Sequence, residues 1–342
     1  MKKRMIYLFV AVVLIAGGIV AVRFFDSKHS EPEKSSQSSG TDLLVAITDQ
    51  KLMTSYYENQ DMLYKEKMTD YPGMALDQKD RLLYYTNTDN NVKHLIRLNL
   101  KSSEKTTLYS GEMDIDELSL SKDRSTLFLR RIPSDHENFQ LASFNLKKKT
   151  FSSIYPEAKN KDENVSFYQY NREKNQFVLL HFSMKEDRRK TNEANEKGIL
   201  PEPTNMWISL ADQKGIQHIK TVAKYMNDIG ISPDGKTAVF TETINDGEKT
   251  VITMMDISKK TCRTVISDQK AFTLIDSALP QFSKDGKKIF FLAEAKDAKV
   301  IKDKEENEAK VRTIYSYDRD TKTVKKEWEK PDGIINSFKV LN

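Results

Sequence analysis

A short turn motif recurs along this chain and constrains its fold more than any other feature. The clearest copies are IGISPDGKTAVFTE at 229–242 and PQFSKDGKKIFFLAE at 280–294. In both, an Asp-Gly pair separates a short apolar segment from a continuous apolar run. Glycine tolerates the positive φ that a tight hairpin turn needs, so Asp-Gly between two such segments predicts a β-hairpin.

Three weaker copies extend the pattern. They are LSLSKDRSTLFLRR at 118–131, where Arg124 replaces glycine, MALDQKDRLLYYTN at 74–87 and YQYNREKNQFVLLHF at 168–182. Each copy is followed by a second pair of alternating apolar and polar segments separated by a polar turn, so each unit supplies four strands. The units are 44 to 61 residues apart, counted between Lys79, Asp123, Glu173, Asp234 and Asp285. A four-stranded sheet repeated at this spacing predicts a β-propeller.

Five whole units leave a remnant at each end of the chain. Residues 43–68 offer three strands, and DGIINSFKVLN at the C-terminus offers one. Joined, they would make a sixth blade closed by both chain ends, which removes open sheet edges. We therefore expect an all-β, six-bladed propeller of four-stranded blades. A seventh blade would need more strands than residues 41–68 can supply.

The SPDGK and SKDGK copies, with the apolar run after each, resemble the repeats of the TolB-like six-bladed propellers. Similar repeats occur in the propeller domains of prolyl oligopeptidases. The resemblance covers roughly residues 42–342 and is clearest at 232–240 and 283–291. Because the motif shapes a turn and packs between blades, the resemblance implies the fold rather than a function. The chain departs from TolB in its N-terminal segment and in lacking a preceding α/β domain, which puts TolB's own partners in doubt.

The N-terminal segment predicts export. Three basic residues at 2–4 precede an apolar run at 5–22. A helix of that length spans about 27 Å, close to the thickness of the hydrocarbon layer. We expect residues 1–25 to form an uncleaved transmembrane signal anchor with a cytoplasmic N-terminus. A cleaved signal peptide is the alternative, although its apolar core is usually shorter. Residues 26–41, rich in Ser, Glu and Lys, predict a flexible tether before a propeller at 42–342.

Charge and cysteine content exclude some classes of function. The net charge is +5, of which residues 1–40 contribute three, and the remaining charges alternate in sign. Nucleic-acid binding requires a concentrated basic face, so we expect no nucleic-acid partner. Cys262 is the single cysteine, and it can form no intrachain disulfide.

One motif suggests a nucleotide site and is rejected. Residues 230–237, GISPDGKT, match the phosphate-binding pattern G-x-x-x-x-G-K-[ST]. That pattern requires a helix immediately after it, whereas the following AVFTET predicts a strand. We therefore interpret 230–237 as a blade turn and expect no nucleotide and no other cofactor.

Other catalytic patterns are also missing from the sequence. There is no G-x-S-x-G motif, and the five histidines have no metal-ligand spacing. Asp318 and Asp320 are spaced as in a calcium loop, but their strand-turn-strand context favours a solvated hairpin. We therefore expect no enzyme and no metal site. A propeller-pocket enzyme of the glycosidase or lyase type remains an alternative, which would need paired carboxylates.

The candidate binding face is predicted from the loops. Two charged insertions, 183–203 and 294–310, both join the second and third strands of a blade, so they lie on one face. The Glu, Lys and Ala content of the second favours helix. Asp116 and Glu117 precede LSLS, and Asn227 and Asp228 precede IGIS, where they would converge on the channel mouth at that face. Turn-forming Asp and Asn are the alternative interpretation of these four residues.

The function favoured by these observations is an extracytoplasmic, membrane-anchored binding or scaffold module. Its partner would be an envelope protein, a peptide or a glycan. A signalling accessory protein is a further alternative, although the few cytoplasmic residues before the apolar run leave no room for an inner signalling domain.

Overall fold

The computed structural model describes residues 41–67, 72–157, 159–212, 214–244, 249–302 and 308–341. These residues form a six-bladed propeller of antiparallel sheets, with one helix inserted in the fourth blade and a separate two-stranded sheet in the sixth. The innermost strands of successive blades contact one another around a central channel. No helix in these residues is long and apolar enough to cross a membrane. The predicted anchor at 5–22 lies outside the described residues, as does the tether up to residue 40.

The strands follow the chain in order from blade to blade. The first three belong to blade 1: β1 Leu43–Asp49, β2 Met53–Glu58 and β3 Asp61–Lys67. Blade 2 contains β4 Met74–Asp77, β5 Leu82–Asp89, β6 Val92–Asn99 and β7 Lys105–Gly111. Blade 3 contains β8 Asp114–Leu120, β9 Thr126–Ile132, β10 Gln140–Asn145 and β11 Thr150–Tyr155.

Blades 4 to 6 include the insertions. Blade 4 contains β12 Glu163–Asn171, β13 Gln176–Ser183, α1 Met184–Lys197, β14 Asn205–Asp212 and β15 Gly215–Ala223. Blade 5 contains β16 Gly230–Ile231, β17 Thr237–Ile244, β18 Lys249–Asp256 and β19 Thr261–Ser267. In blade 6 the innermost strand is split in two, and a hairpin of two short strands is added. Its strands are β20 Phe272–Leu274, β21 Gln281–Phe282, β22 Lys288–Ala295, β23 Val300–Lys302, β24 Glu308–Lys310, β25 Arg312–Asp318 and β26 Val324–Glu329.

Blade 1 is completed by the C-terminal end of the chain. The last strand, β27 Gly333–Val340, pairs antiparallel with β1, with Val45 opposite Phe338. Blade 1 therefore has the order β27-β1-β2-β3. The predicted closure of the ring by both ends of the chain is confirmed.

The repeated motif folds into the same turn in different blades. In blade 5, Ser232 Oγ donates to Asp234 Oδ1 at 2.6 Å, and Gly235 takes the positive φ of +73°. Blade 6 repeats this arrangement around Gly286, with φ +70°. In blade 3 Arg124 holds the corresponding position at φ +61°, a conformation that costs a non-glycine residue about 1 kcal/mol. The local sequence thus determines the hairpin between the first two strands.

Apolar side chains from neighbouring blades bury one another. Within the described residues, six clusters of buried apolar side chains are present, one between each pair of adjacent blades. Between blades 6 and 1, for example, Phe290 and Trp328 pack with Val45 and Phe338. Full burial of one such side chain stabilises the fold by about 2–3 kcal/mol. The ring therefore depends on each blade having both neighbours.

The two insertions lie on the same face, as predicted, but their secondary structures differ from the prediction. The first forms α1, whereas the second, as far as it is described, contains the β23–β24 hairpin. The prediction of helix in the second insertion was therefore wrong. The first insertion has the better end signals: Ser183 accepts the amide of Glu186 at the start, and Gly198 ends α1 with φ +64°. Ion pairs one turn apart, such as Lys190 with Glu186, add to its stability.

Candidate functional site

Asp116 and Glu117 lie within β8, the innermost strand of blade 3, rather than before it. The pairing of β8 with β9 shifts register between Asp116 and Ser119. Glu117 takes φ +48° at this bulge, and its carbonyl oxygen accepts a hydrogen bond from the Tyr168 hydroxyl of blade 4. The bulge places two consecutive carboxylates beside the channel, which an unbroken strand would direct to opposite faces.

The carboxylates of Asp116 and Glu117 both have cationic partners. Arg130 binds Asp116 through two nitrogens, at 2.9 and 2.7 Å, and Lys339 Nζ lies 2.9 Å from Glu117 Oε2. Burial raises the pKa of Asp116 although Arg130 opposes the shift. Burial also acts to raise the pKa of Glu117, but Lys339 and Arg130 together lower it below its ordinary value. Glu117 is therefore the more firmly ionised of the two.

Asp228 lies just before β16 and is 0% exposed. Its Oδ1 accepts the amide of Thr241 at 2.7 Å, and its Oδ2 accepts the Thr241 hydroxyl at 2.9 Å and the amide of Leu279 at 2.8 Å. Because Leu279 belongs to blade 6, the carboxylate joins two blades. Burial raises the pKa of Asp228 to about 6 against these hydrogen bonds, and the charge of Glu117 adds to the increase.

The four residues predicted from the sequence are therefore only partly brought together. Asp116 and Glu117 are adjacent, and Glu117 is near enough to Asp228 to influence its titration. Asn227 points elsewhere: its side-chain amide donates to the carbonyl of Asp276 at 2.9 Å. Each of the four has a partner within the protein, and ligand binding through them stays a prediction.

A well-formed cavity lies at the other end of the channel, on the face of the repeated turns. Its volume is about 380 Å³, and it is bounded by the ends of β4, β8, β12 and β27. Its apolar wall consists of Leu44, Met74, Leu76, Leu118, Leu120 and Leu341. Its charged lining residues are Lys79, Arg124, Arg172 and Lys339, with Asp77 as the single carboxylate. The insertions predicted to mark the binding face are on the opposite side of the ring.

The cations of this cavity come from equivalent places in the fold. Lys79, Arg124 and Arg172 follow the innermost strands of blades 2, 3 and 4, and Lys339 lies near the end of β27. Arg124 bonds to Asp80 at 3.0 Å and lies 3.5 Å from Asp77. These four cations were not predicted from the sequence, although a basic residue shortly after each of these strands is a signal that could have identified them.

A second polar network lies inside blade 4. His181 Nε2 is 2.9 Å from Ser209 Oγ, and its Nδ1 is 3.2 Å from Glu163 Oε2. The order of serine, histidine and carboxylate is that of a hydrolase triad. Ser209 is only 1% exposed, however, and the Trp207 ring packs on the histidine with 5.3 Å between centroids. Because a nucleophile must reach its substrate, we interpret this network as one that holds the strands of blade 4 together.

The structure also decides the interpretation of the phosphate-loop match. Thr237 begins the strand β17 where a nucleotide site would need a helix. Gly230 is required for another reason, because a Cβ there would overlap the carbonyl oxygen of Pro280 in blade 6. Residues 230–237 are a blade turn, as predicted. Within the residues that the structure describes, no three or more His, Cys, Asp or Glu side chains are placed to hold a metal ion.

Comparison with known proteins finds one relative by sequence and several solved structures with the same fold. The uncharacterized protein YdjN of Bacillus subtilis is 47% identical over 329 residues, which cover 94% of each chain. No protein-family model matches the sequence.

TolB from Acinetobacter baumannii superposes with a TM-score of 0.60 at 11% identity over 87% of this chain. This chain spans 66% of that TolB, slightly less than two thirds. A protein assigned as TolB from Agrobacterium tumefaciens gives a TM-score of 0.55 at 11% identity, covering 86% of this chain and 92% of its own. At these identities the TolB structures share the fold alone.

Proposed function

The chain belongs to the family of Bacillus subtilis YdjN, and we propose that it is a binding or scaffold module of the cell envelope. In this proposal residues 5–22 hold it in the membrane, and the propeller lies on the outer side. The apolar run and the basic residues before it support this arrangement. The partner is an acidic peptide segment of an envelope protein.

The channel-end cavity is the observation that carries this proposal. Its volume of about 380 Å³ is within the range of ligand sites. Cations outnumber carboxylates in its lining by four to one. When Glu117 and Asp80, the partners of Lys339 and Arg124, are included, the count is four to three. An incoming carboxylate would therefore find both arginine donors and a favourable field.

Two cations of the cavity are held by ion pairs before a ligand binds, which favours affinity. Lys339 forms an ion pair with Glu117, and Arg124 forms ion pairs with Asp77 and Asp80. Side chains fixed before binding lose little conformational entropy when a ligand arrives. The apolar wall, whose residues come from blades 1, 2 and 3, would cover the aliphatic part of the same segment.

The groups that could act in catalysis already have hydrogen-bond partners within the protein or are buried, which supports binding rather than catalysis. The carboxylates of Asp116, Glu117 and Asp228 each accept hydrogen bonds from neighbouring protein groups. Ser209, which has a histidine beside it, is buried. A site that recognises a peptide needs fixed donors and a shaped wall, and this cavity offers both.

The test uses the full-length protein in lipid nanodiscs and a displayed library of random dodecapeptides. We expect the enriched peptides to be acidic. The double variant Lys79→Gln/Arg172→Gln removes two cations without touching the Lys339–Glu117 pair. It should weaken binding of a synthetic enriched peptide about tenfold, the effect of losing one charged hydrogen bond.

The matched control is Lys185→Gln, which removes an exposed cation from α1 on the opposite face. It should leave the affinity unchanged. Enrichment of peptides without acidic residues, or equal affinities for the double variant and the wild type, would overturn the proposal.

A further inference from the structure

A groove between blades 3 and 4 opens beside the channel-end cavity. Its volume is about 700 Å³. Phe128 and Ile154 line it from blade 3, and Tyr170 and Phe177 line it from blade 4. Ile154 is 36% exposed, so a large aliphatic side chain faces solvent in this groove. Buried clusters fill the space between blades deeper in the ring, but here an apolar surface is left open.

Tyr170 is the wall that the groove and the cavity share. It lines both spaces. Its hydroxyl donates to Asn175 Oδ1 at 2.7 Å, and its ring packs against Phe128 and Phe177 with centroids 4.7 and 5.2 Å apart. Because the ring is held at both ends, it separates the two spaces by the thickness of one side chain. To reach the groove, a ligand in the cavity would have to pass over this one side chain.

The geometry of the rings indicates which chemistry the groove accepts. The planes of Phe128 and Tyr170 are inclined by 54°, and those of Phe128 and Phe177 by 87°. A sugar stacks on an open aromatic face, whereas these rings pack against one another at tilted and edge-to-face angles. Together with Ile154, ring edges make a pocket for an apolar side chain. The charged lining residues are Lys122, Asp123 and Asp212, one cation and two carboxylates, so the groove itself does not favour an anionic side chain.

We propose that the groove between blades 3 and 4 is a second subsite, which binds a large apolar side chain of the acidic peptide held in the cavity. This inference rests on the proposed function and adds to it a sequence preference: an acidic residue followed or preceded at short distance by Phe, Leu, Ile or Met. The positive cavity and the apolar groove complement the two parts of such a segment.

The experiment uses the full-length protein in nanodiscs and one synthetic dodecapeptide, the most strongly enriched acidic peptide from the library. Two derivatives are made, one with its large apolar residue replaced by Ala and one with its acidic residues amidated. Ile154→Ser removes exposed apolar surface from the groove. The control is Ile216→Ser, at a position on β15 that is 43% exposed and lies outside the groove. Both positions are exposed, so equal melting temperatures are expected.

Ile154→Ser should weaken binding of the parent peptide about fivefold, the loss in affinity expected when roughly half of an apolar side chain is no longer buried. The Ala derivative should bind wild type about fivefold less tightly, yet lose nothing further with Ile154→Ser, since both changes remove the same contact. Ile216→Ser should bind all three peptides as wild type does.

Two outcomes separate this inference from the proposed function. If acidic peptides are enriched without a large apolar residue, or if Ile154→Ser and Ile216→Ser bind the parent peptide equally, the subsite is refuted and the cavity is not. If the amidated derivative binds as tightly as the parent peptide, the proposed acidic recognition itself fails.

Discussion

Lys339, in the last strand of the chain, forms an ion pair with Glu117 in blade 3, with 2.9 Å between Nζ and Oε2. The two residues belong to blades that are not adjacent, because blade 2 lies between them. Their side chains are 21% and 19% exposed. The pair therefore connects the split blade directly with blade 3, and Lys339 also lines the cavity.

Breaking this pair should destabilise the propeller. In Lys339→Met the carboxylate of Glu117 stays partly buried without its nearest cation, and we expect a loss of about 1–3 kcal/mol in the free energy of unfolding by urea. The double variant Glu117→Gln/Lys339→Met should recover part of that loss. Lys325→Met is the control, since Lys325 is 67% exposed in its pair with Glu327 and should cost less than about 1 kcal/mol. Equal losses for Lys339→Met and Lys325→Met would contradict the prediction.

Asp228 should make stability fall as pH rises. Its pKa is raised from 3.8 to about 6, so between these values the folded state binds a proton more tightly than the unfolded state. The stabilisation linked to this proton is fully present below pH 4 and is lost as pH rises through 6. It amounts to at most about 3 kcal/mol.

The measurement for Asp228 is urea unfolding of wild type and Asp228→Asn at pH 4.5, 5.5 and 7. Asn does not titrate, so the difference between the two proteins isolates this group from the other carboxylates. We expect wild type to lose stability relative to the variant across the series. A constant difference would show that Asp228 does not titrate in this range. Asp228 also joins blades 5 and 6, and replacing it by Ala would remove that contact. A loss of ligand binding in such a variant could therefore result from lost stability alone.

Removal of residues 334–342 should open the ring. The truncation deletes β27, which exposes the edge of β1 and the apolar surface of Val45 and Trp328. We expect loss of the cooperative melting transition, binding of a hydrophobic dye and aggregation in size-exclusion chromatography. Removal of Asn342 alone serves as the control and should change nothing. If the truncated chain melts like the full-length protein, β27 does not close the ring.

The mature protein should retain residues 5–22. The apolar run has no good cleavage site, so we expect fractionation with membranes and a propeller accessible to protease added outside intact cells. N-terminal sequencing of the purified protein distinguishes the two alternatives. A first residue beyond Val22 would exclude the anchor and leave export in place.

The blades were predictable because their signals are local. Ser232, Asp234 and Gly235 form their turn from contacts within five residues, and the alternation of apolar residues identifies each strand. The split blade followed from counting strands. The helix was placed in the wrong insertion because composition was weighed without end signals, and α1 is determined by Ser183 and Gly198.

The candidate site was less predictable because it depends on contacts between blades. Lys339 and Glu117 are 222 residues apart in the sequence, and no local pattern relates them. The same holds for Asp228 and Leu279, which meet only because blade 6 follows blade 5 around the ring. The sequence pattern indicates carboxylates near the channel. It does not indicate which cations neutralise them or which face of the ring contains the cavity.

The hydrogen bond from the Leu341 amide to the Asp42 carbonyl, 2.9 Å long, has a consequence for protein engineering. Residues 42 and 341 are neighbours, so a short peptide could join them, and new ends could be opened between two other blades. In such a circular permutant blade 1 becomes one continuous hairpin unit, and another blade interface must hold the ends of the chain. The propeller is thus a closed ring, and its fold does not depend on which blade contains the two ends of the chain.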